Sequence, residues 1–139
     1  MSLQPFFKQH WPWIAWLAGI FILTGMPGDY VPRVRRLEDW IEYDKAAHFL
    51  LFFVLVFLAL RSFITQYETN YQRVLYVAVL LVAIAIGGVT ELLQEYVFTG
   101  RQGNLYDFGA DALGCFSGMF LFDFMQKKNK TNPGETKNY

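Results

Sequence analysis

Polar and ionisable side chains that could bind a ligand or transfer protons lie beside long apolar runs at four places in the sequence. Asp44 and His48 are four residues apart, which places them on one face of a helix. Asp107 and Asp111 repeat that spacing. A histidine beside carboxylates can transfer protons or bind a metal ion, whereas a lysine or arginine among them can hold a phosphate. The candidate polar site consists of Asp44, Lys45, His48, Glu91, Gln94, Arg101, Asp107 and Asp111.

The composition around these residues is that of a membrane protein. The chain has 139 residues, of which 54% are hydrophobic and 19% aromatic. Only 17% are charged, against roughly 25% in soluble domains. This leaves too little polar surface to cover a soluble globule. We therefore predict an all-α integral membrane bundle of about four transmembrane helices, forming one domain over residues 1–126.

Four apolar runs supply the predicted spans. They cover residues 11–28, residues 46–60 with an extension to 64, residues 74–98, and residues 105–126. The first run carries no charge and has about the minimum length for a bilayer crossing. A cleaved signal peptide is the alternative for that run, but it lacks a small-x-small cleavage site, which favours a retained helix.

The fourth run is the weakest span because three aspartates interrupt it. Its small residues Ala110, Gly114 and Gly118 recur at every fourth position and therefore share one helix face. Small residues at this spacing let two membrane helices approach closely, so we predict that this face packs against another helix. A flexible or half-inserted fourth helix is the alternative.

A short interfacial helix is predicted between helices 1 and 2. Val34, Leu37, Trp40 and Ile41 fall on one helical face, with charged residues on the other side. Trp40 and Tyr43 are rings of the kind enriched where a membrane meets water. We expect this segment to lie in the headgroup plane and lead into helix 2. An ordered loop without a membrane role is the alternative.

The distribution of basic residues predicts the orientation. With four spans, both termini and the loop between helices 2 and 3 lie on one side, which holds seven of the 12 lysines and arginines. The positive-inside rule then places the termini in the cytoplasm of a multi-pass protein of the cell membrane. Residues 127–139 form a polar, basic tail that we expect to be disordered. The zero net charge argues against nucleic acid as a partner.

This topology brings the candidate site residues together. Helices 2 and 4 begin on the side where helix 3 ends, so His48, Glu91, Asp107 and Asp111 should all lie in one layer near that surface. A charged side chain at the centre of a membrane helix costs about 2.5–3.5 kcal/mol. We therefore expect Lys45 and Arg101 to pair with the carboxylates. A purely structural ion-pair network is the alternative to a functional site.

Three segments resemble the VanZ-like family, membrane proteins named for a teicoplanin-resistance protein. They are DKAAHFLLFF from Asp44 to Phe53, GGVTELLQ from Gly87 to Gln94, and GRQGNLYDFGADALG from Gly100 to Gly114. The family pattern is a lysine and histidine opening a helix, then E-x-x-Q, an arginine and D-x-x-x-N-x-x-G. Asp111 stands where the family more often has asparagine. The resemblance implies a cell-envelope role and an effect on teicoplanin susceptibility, without a settled reaction.

The favoured function is binding of a membrane lipid or lipid-linked envelope precursor by a non-enzymatic protein. Lys45 and Arg101 would hold phosphate, and the carboxylates would orient them. No cofactor is expected. The chain contains no H-E-x-x-H or G-x-S-x-G motif, and its single cysteine, Cys115, is expected to serve packing.

Two other classes stay open. In an intramembrane enzyme, His48 would act with Glu91 or Asp107 as an acid/base pair, or these groups would bind a metal ion together with Asp111. In an ion- or proton-coupled transporter, four short helices would need a homo-oligomer to form a pathway.

Overall fold

The computed structural model describes residues 4–26, 37–66, 72–98, 100 and 103–131, and these residues form four helices. The helices are α1 (Gln4–Gly25), α2 (Leu37–Gln66), α3 (Gln72–Tyr96) and α4 (Leu105–Thr131). The described part of the chain contains no strand. The predicted all-α class is therefore confirmed.

Three of the helices are long and apolar enough to cross a membrane. The crossing segments are Tyr43–Ile64 within α2, Gln72–Tyr96, which is the whole of α3, and Leu105–Asn129 within α4. They indicate a membrane protein. α1 is not among them; Lys8, Gln9 and His10 follow its first turn and make that end of the helix polar. The described residues thus show three candidate spans rather than four.

A separate interfacial helix is not shown. α2 runs without a break from Leu37 to Gln66, so residues 37–43 form its first turns, while Val34 lies outside the described residues. The physical reason is that no glycine or proline interrupts the sequence between Leu37 and Gln66. At the other end of the chain, α4 continues to Thr131, and residues 132–139 of the polar tail lie outside the described part.

α2 lies at the centre of the bundle. It contacts α1, α3 and α4, and its contact with α4 is the most extensive between any two helices. The buried apolar core consists of Ile20, Phe52, Leu55, Val56, Ala59, Leu60, Ile64, Ala83, Cys115 and Phe122. More than half of these residues come from α2. Large apolar side chains such as Leu81, Leu92 and Phe120 are exposed on α3 and α4, where a bilayer would cover them.

The close contact between α2 and α4 depends on two glycines. A Cβ atom on Gly114 would overlap the carbonyl oxygen of Phe49, and one on Gly118 would overlap the carbonyl oxygen of Phe53. Both obstacles are backbone atoms of α2, which cannot move aside as a flexible side chain can. Ala110, which continues the same row, is half-buried. Small residues therefore let the two backbones touch at the level just below the polar site.

Candidate functional site

The centre of the site is a buried trio contributed by three helices. His48 lies on α2, Glu91 lies near the end of α3, and Asp111 lies in the second turn of α4. His48 Nδ1 is 2.9 Å from Asp111 Oδ1 and 3.6 Å from Glu91 Oε1. All three residues are buried. With Asp111 ionised, its carboxylate only accepts hydrogen bonds, and His48 Nδ1–H is then the donor to Asp111 Oδ1.

A second ion pair lies beside this trio. Lys45 Nζ is 3.0 Å from Asp107 Oδ1, a pairing among those expected from the sequence. The side chain of Asp107 is 5% exposed and that of Lys45 is 31% exposed. The ammonium group also lies 5.8 Å from the centre of the Tyr106 ring. Lys45 therefore holds a buried carboxylate while part of its own side chain stays accessible.

The connection from α3 to α4 is built around glutamates of α3. Glu91 Oε2 accepts a hydrogen bond of 2.7 Å from the backbone N–H of Asn104, and Glu95 Oε2 accepts one of 2.9 Å from that of Gly103. Asn104 Oδ1 in turn accepts the Tyr106 N–H at 3.0 Å, capping the start of α4. Position 103 requires glycine, because a Cβ there would collide with the carbonyl oxygen of Glu91. The end of α3 thus fixes where α4 begins and where its aspartates lie.

Two other predicted site residues belong to neither the trio nor the second ion pair, and a third is not described. The Gln94 side chain is buried and donates a hydrogen bond of 3.4 Å to the carbonyl oxygen of Thr24 on α1, so it connects two helices. Asp44 is half-buried, and its carboxylate lies within 4.8 Å of ligand atoms on His48 and Asp107. Arg101 lies outside the described residues.

Negative charge exceeds positive charge in this layer of described residues. The trio joins one imidazole to two carboxylates, and the adjacent Lys45 is paired with Asp107. Glu91 Oε1 and Asp111 Oδ2 are buried without a hydrogen-bond partner. Such a layer can exchange protons through His48, hold a cation between the carboxylates, or orient a ligand that carries its own positive group.

A groove lies on the surface of the bundle between α3 and α4 and reaches Glu91 of the trio. This α3–α4 groove has a volume of about 520 Å³. Apolar groups, among them Ala85, Leu92 and Phe108, line much of it, and Gly88 forms part of its floor. Glu91 is also among its lining residues. The groove is therefore apolar over most of its length and carries carboxylates at the end next to the polar site.

A second cavity lies between α1, α2 and α3. Its volume is about 240 Å³ and its lining is apolar, with Leu55 and Ile86 among the residues closest to the polar trio. Leu55 follows His48 by seven residues, which corresponds to about 10 Å along the helix. This cavity therefore lies deeper in the bundle than the polar site.

A polar cluster at the opposite end of the bundle was missed by the sequence analysis. Ser62 Oγ donates to the carbonyl oxygen of Gln9 at 3.0 Å and lies 2.7 Å from His10 Nδ1. Trp13 Nε1 donates to the same imidazole nitrogen at 3.0 Å. The cluster ties α1 to α2. Spacing gave no signal for it, because Ser62 and His10 are 52 residues apart in the sequence.

Comparisons of the chain with protein-family models, curated proteins and solved structures find no match in any of the three. The resemblance to the VanZ-like family therefore stays a prediction from the three sequence segments.

Proposed function

We propose that the chain is a VanZ-like membrane protein of the cell envelope that binds an amphiphile, a membrane lipid or a lipid-linked envelope precursor. The headgroup would lie at the polar layer and an acyl or prenyl chain along the α3–α4 groove. The effect on teicoplanin susceptibility implied by the family resemblance would follow from binding an envelope precursor.

The α3–α4 groove is the observation that carries this proposal. Its lining changes from apolar residues such as Ala85 and Phe108 to the carboxylates of Glu91 and Glu95. An apolar chain and a polar headgroup need that change in the same order. The residues around it, such as Val89 and Leu92, are exposed, so a ligand could enter from the surrounding bilayer without crossing the bundle.

Lys45 supports the headgroup part of the proposal. An ammonium group has three N–H donors, and Asp107 is the described carboxylate that lies against it. Because its side chain is 31% exposed, the ammonium group can contact a phosphate while keeping this partner. Lysine is a common phosphate ligand and acts as a point charge. Arg101 would add a second cation in the connection between α3 and α4.

Filling the groove should remove the bound lipid. A Cβ on Gly88 would lie 3.6 Å from Phe108 Cε2, an ordinary contact, so Gly88→Leu should fold and place its side chain in the groove. We expect purified Gly88→Leu to lose most of the lipid that the wild type retains, as measured by mass spectrometry of lipids that co-purify from mild detergent.

Gly19→Leu is the matched control for this experiment. It makes the same substitution on α1, where a Cβ would have nothing within 4 Å, and it should keep the wild-type lipid profile. Equal lipid loss in the two variants, or a wild type that enriches no lipid over the membrane extract, would contradict the proposal.

An intramembrane enzyme is the second candidate, favoured by the contact between His48 and Asp111. A carboxylate 2.9 Å from Nδ1 orients the imidazole ring, as in acid/base catalysis. Conversion of the retained amphiphile would distinguish this candidate from simple binding. Mass spectrometry should then find a cleaved or transferred lipid with wild type and the intact lipid with His48→Gln.

The proposal includes four membrane crossings with both termini in the cytoplasm. This arrangement takes α1 as a fourth span and follows the excess of basic residues on the side of the termini. A reporter enzyme that is active only outside the cytoplasm, fused after Tyr139, should therefore be inactive. A fluorescent protein that matures only in the cytoplasm should be bright at the same position. The opposite pair of results would reverse the orientation and place the polar site at the inner face.

A further inference from the structure

Two buried carboxylate oxygens in the trio have no hydrogen-bond partner among the described residues. Glu91 Oε1 and Asp111 Oδ2 accept no hydrogen bond from any described residue. Asp111 is fully buried and Glu91 is 8% exposed. A buried acceptor without a partner costs free energy, so native proteins rarely keep one without a reason. Two such oxygens on the same histidine-centred trio point to a positively charged ligand between them.

The distances in the trio suit a single metal ion. One ligand atom from each of His48, Glu91 and Asp111 can be chosen so that all lie within 4.8 Å of one another. His48 Nδ1 itself lies 2.9 Å from Asp111 Oδ1 and 3.6 Å from Glu91 Oε1. Atoms held about 2.0–2.2 Å from one ion lie roughly 3–3.6 Å apart, so small shifts would complete the site.

Charge balance favours a divalent ion. A neutral imidazole with two ionised carboxylates leaves two negative charges in a buried position. A protonated His48 would neutralise only one of them, and Lys45, the neighbouring cation among the described residues, is already paired with Asp107. A divalent ion that replaces the proton on Nδ1 would neutralise both carboxylates, and metal binding commonly releases such a proton.

The neighbouring group of ligands is less suitable. Asp44, His48 and Asp107 also bring their ligand atoms within 4.8 Å of one another. However, Asp107 is bound to Lys45 at 3.0 Å, and an ion there would meet the repulsion of the ammonium group. The trio of His48, Glu91 and Asp111 has no such cation in contact with it among the described residues.

Gly87 keeps space open beside the trio. A Cβ at this position would lie 3.1 Å from Asp111 Oδ2, one of the two oxygens without a partner. Room on this side is needed if the oxygen is to turn toward an ion. Glycine at position 87 therefore leaves room for the Asp111 carboxylate to bind an ion.

We propose that His48, Glu91 and Asp111 form a binding site for one divalent transition-metal ion. One imidazole nitrogen with two carboxylates suits Zn²⁺ or Mn²⁺ better than Mg²⁺, which prefers oxygen ligands throughout. The inference rests on the proposed function in placing ligand binding at this polar layer. There the ion would supply the positive charge that a headgroup phosphate needs next to an acidic site.

The test uses the full chain purified in detergent, freed of metal with a chelator and then titrated with Zn²⁺ or Mn²⁺ alone. We expect about one ion per chain, counted by elemental mass spectrometry, because the three ligands form one site. Asp111→Asn keeps the shape of the side chain but loses the charge, and it should weaken binding by more than about tenfold. Glu91→Gln should do the same, which covers the case in which Asp111→Asn does not fold.

Asp123→Asn is the matched control, because it removes a carboxylate from the far end of α4, where Asp123 pairs with Lys127. It should bind the ion as the wild type does. A wild type that binds neither ion would overturn the inference, as would wild-type affinity in both trio variants. Lipid retention, measured on the same wild-type preparation, separates the two proposals. Metal without lipid would contradict only the proposed function, and lipid without metal would contradict only the metal site.

Discussion

Replacing Gly114 by alanine should destabilise the bundle by about 3 kcal/mol or more, although the change adds only one methyl group. The added Cβ would overlap the carbonyl oxygen of Phe49 and would press on the backbone nitrogen of Phe53. Overpacking usually costs about 1–3 kcal/mol where side chains can adjust. Here the obstacle is the backbone of α2, so α2 and α4 have to separate over the length of their contact.

Gly109→Ala is the matched control and should have the opposite sign. It is the same substitution in the same helix, but a Cβ at position 109 would have nothing within 4 Å. Alanine should therefore stabilise the helix by up to about 1 kcal/mol, the usual difference in helix propensity between the two residues. Thermal unfolding of the purified variants in one detergent measures both effects. A Gly114→Ala variant whose unfolding temperature equals or exceeds that of Gly109→Ala would show that α2 and α4 do not touch at this level.

The glycine row shows what sequence spacing can and cannot predict. Small residues at every fourth position identify one face of a helix, so Gly114 and Gly118 could be assigned to a contact face from the sequence. The partner of that face could not be assigned, because it depends on how α2 is rotated about its axis. Nothing in the sequence distinguishes the segment from Phe49 to Phe53 from the rest of this apolar helix.

The polar layer, too, could be predicted from the sequence only in part. The shared level of His48, Glu91, Asp107 and Asp111 could be predicted, because the predicted spans 2 and 4 begin on the side of the bundle where the predicted span 3 ends. The pairing within the layer could not, since a shift of α4 by about one turn along its axis would exchange Asp107 with Asp111 as the partner of Lys45. Gln94 illustrates the limit. It lies three residues after Glu91, yet its amide reaches a carbonyl group of α1.

The α3–α4 groove could not have been predicted from the sequence at all. Gly88, Gly103 and Phe108 are among its lining residues, and a Cβ on Gly88 would lie 3.6 Å from the Phe108 ring. The sequence context does not distinguish any of these residues from its neighbours. The shape that they enclose depends on the packing of α3 against α4, which hydrophobic patterning does not determine.

Removing Lys45 should be more damaging than removing its partner Asp107. Lys45→Met leaves the Asp107 carboxylate, whose side chain is 5% exposed, without its cation. Breaking a buried ion pair in this way costs about 3–5 kcal/mol, and we expect the lower end because the lysine is partly exposed. Asp107→Leu leaves an ammonium group on a long side chain that can turn toward water or headgroups, so it should cost less.

The double variant Lys45→Met with Asp107→Leu should recover most of the lost stability. No charge is stranded in it, and a packed apolar pair can replace a buried ion pair with little loss. The exposed pair of Asp123 and Lys127 provides the control. Lys127→Met should cost less than about 1 kcal/mol, as is usual for surface pairs. Thermal unfolding of all four variants in the same detergent would measure these differences in stability.

The same variants separate a scaffold from a binding site. If Lys45 and Asp107 only hold α2 against α4, the double variant should fold and also retain the wild-type lipid. If Lys45 contacts a headgroup phosphate, the double variant should fold but lose that lipid, because methionine and leucine cannot replace the ammonium group. A folded double variant with an unchanged lipid profile would remove Lys45 from the proposed headgroup site and leave the ion pair as a structural contact between two helices.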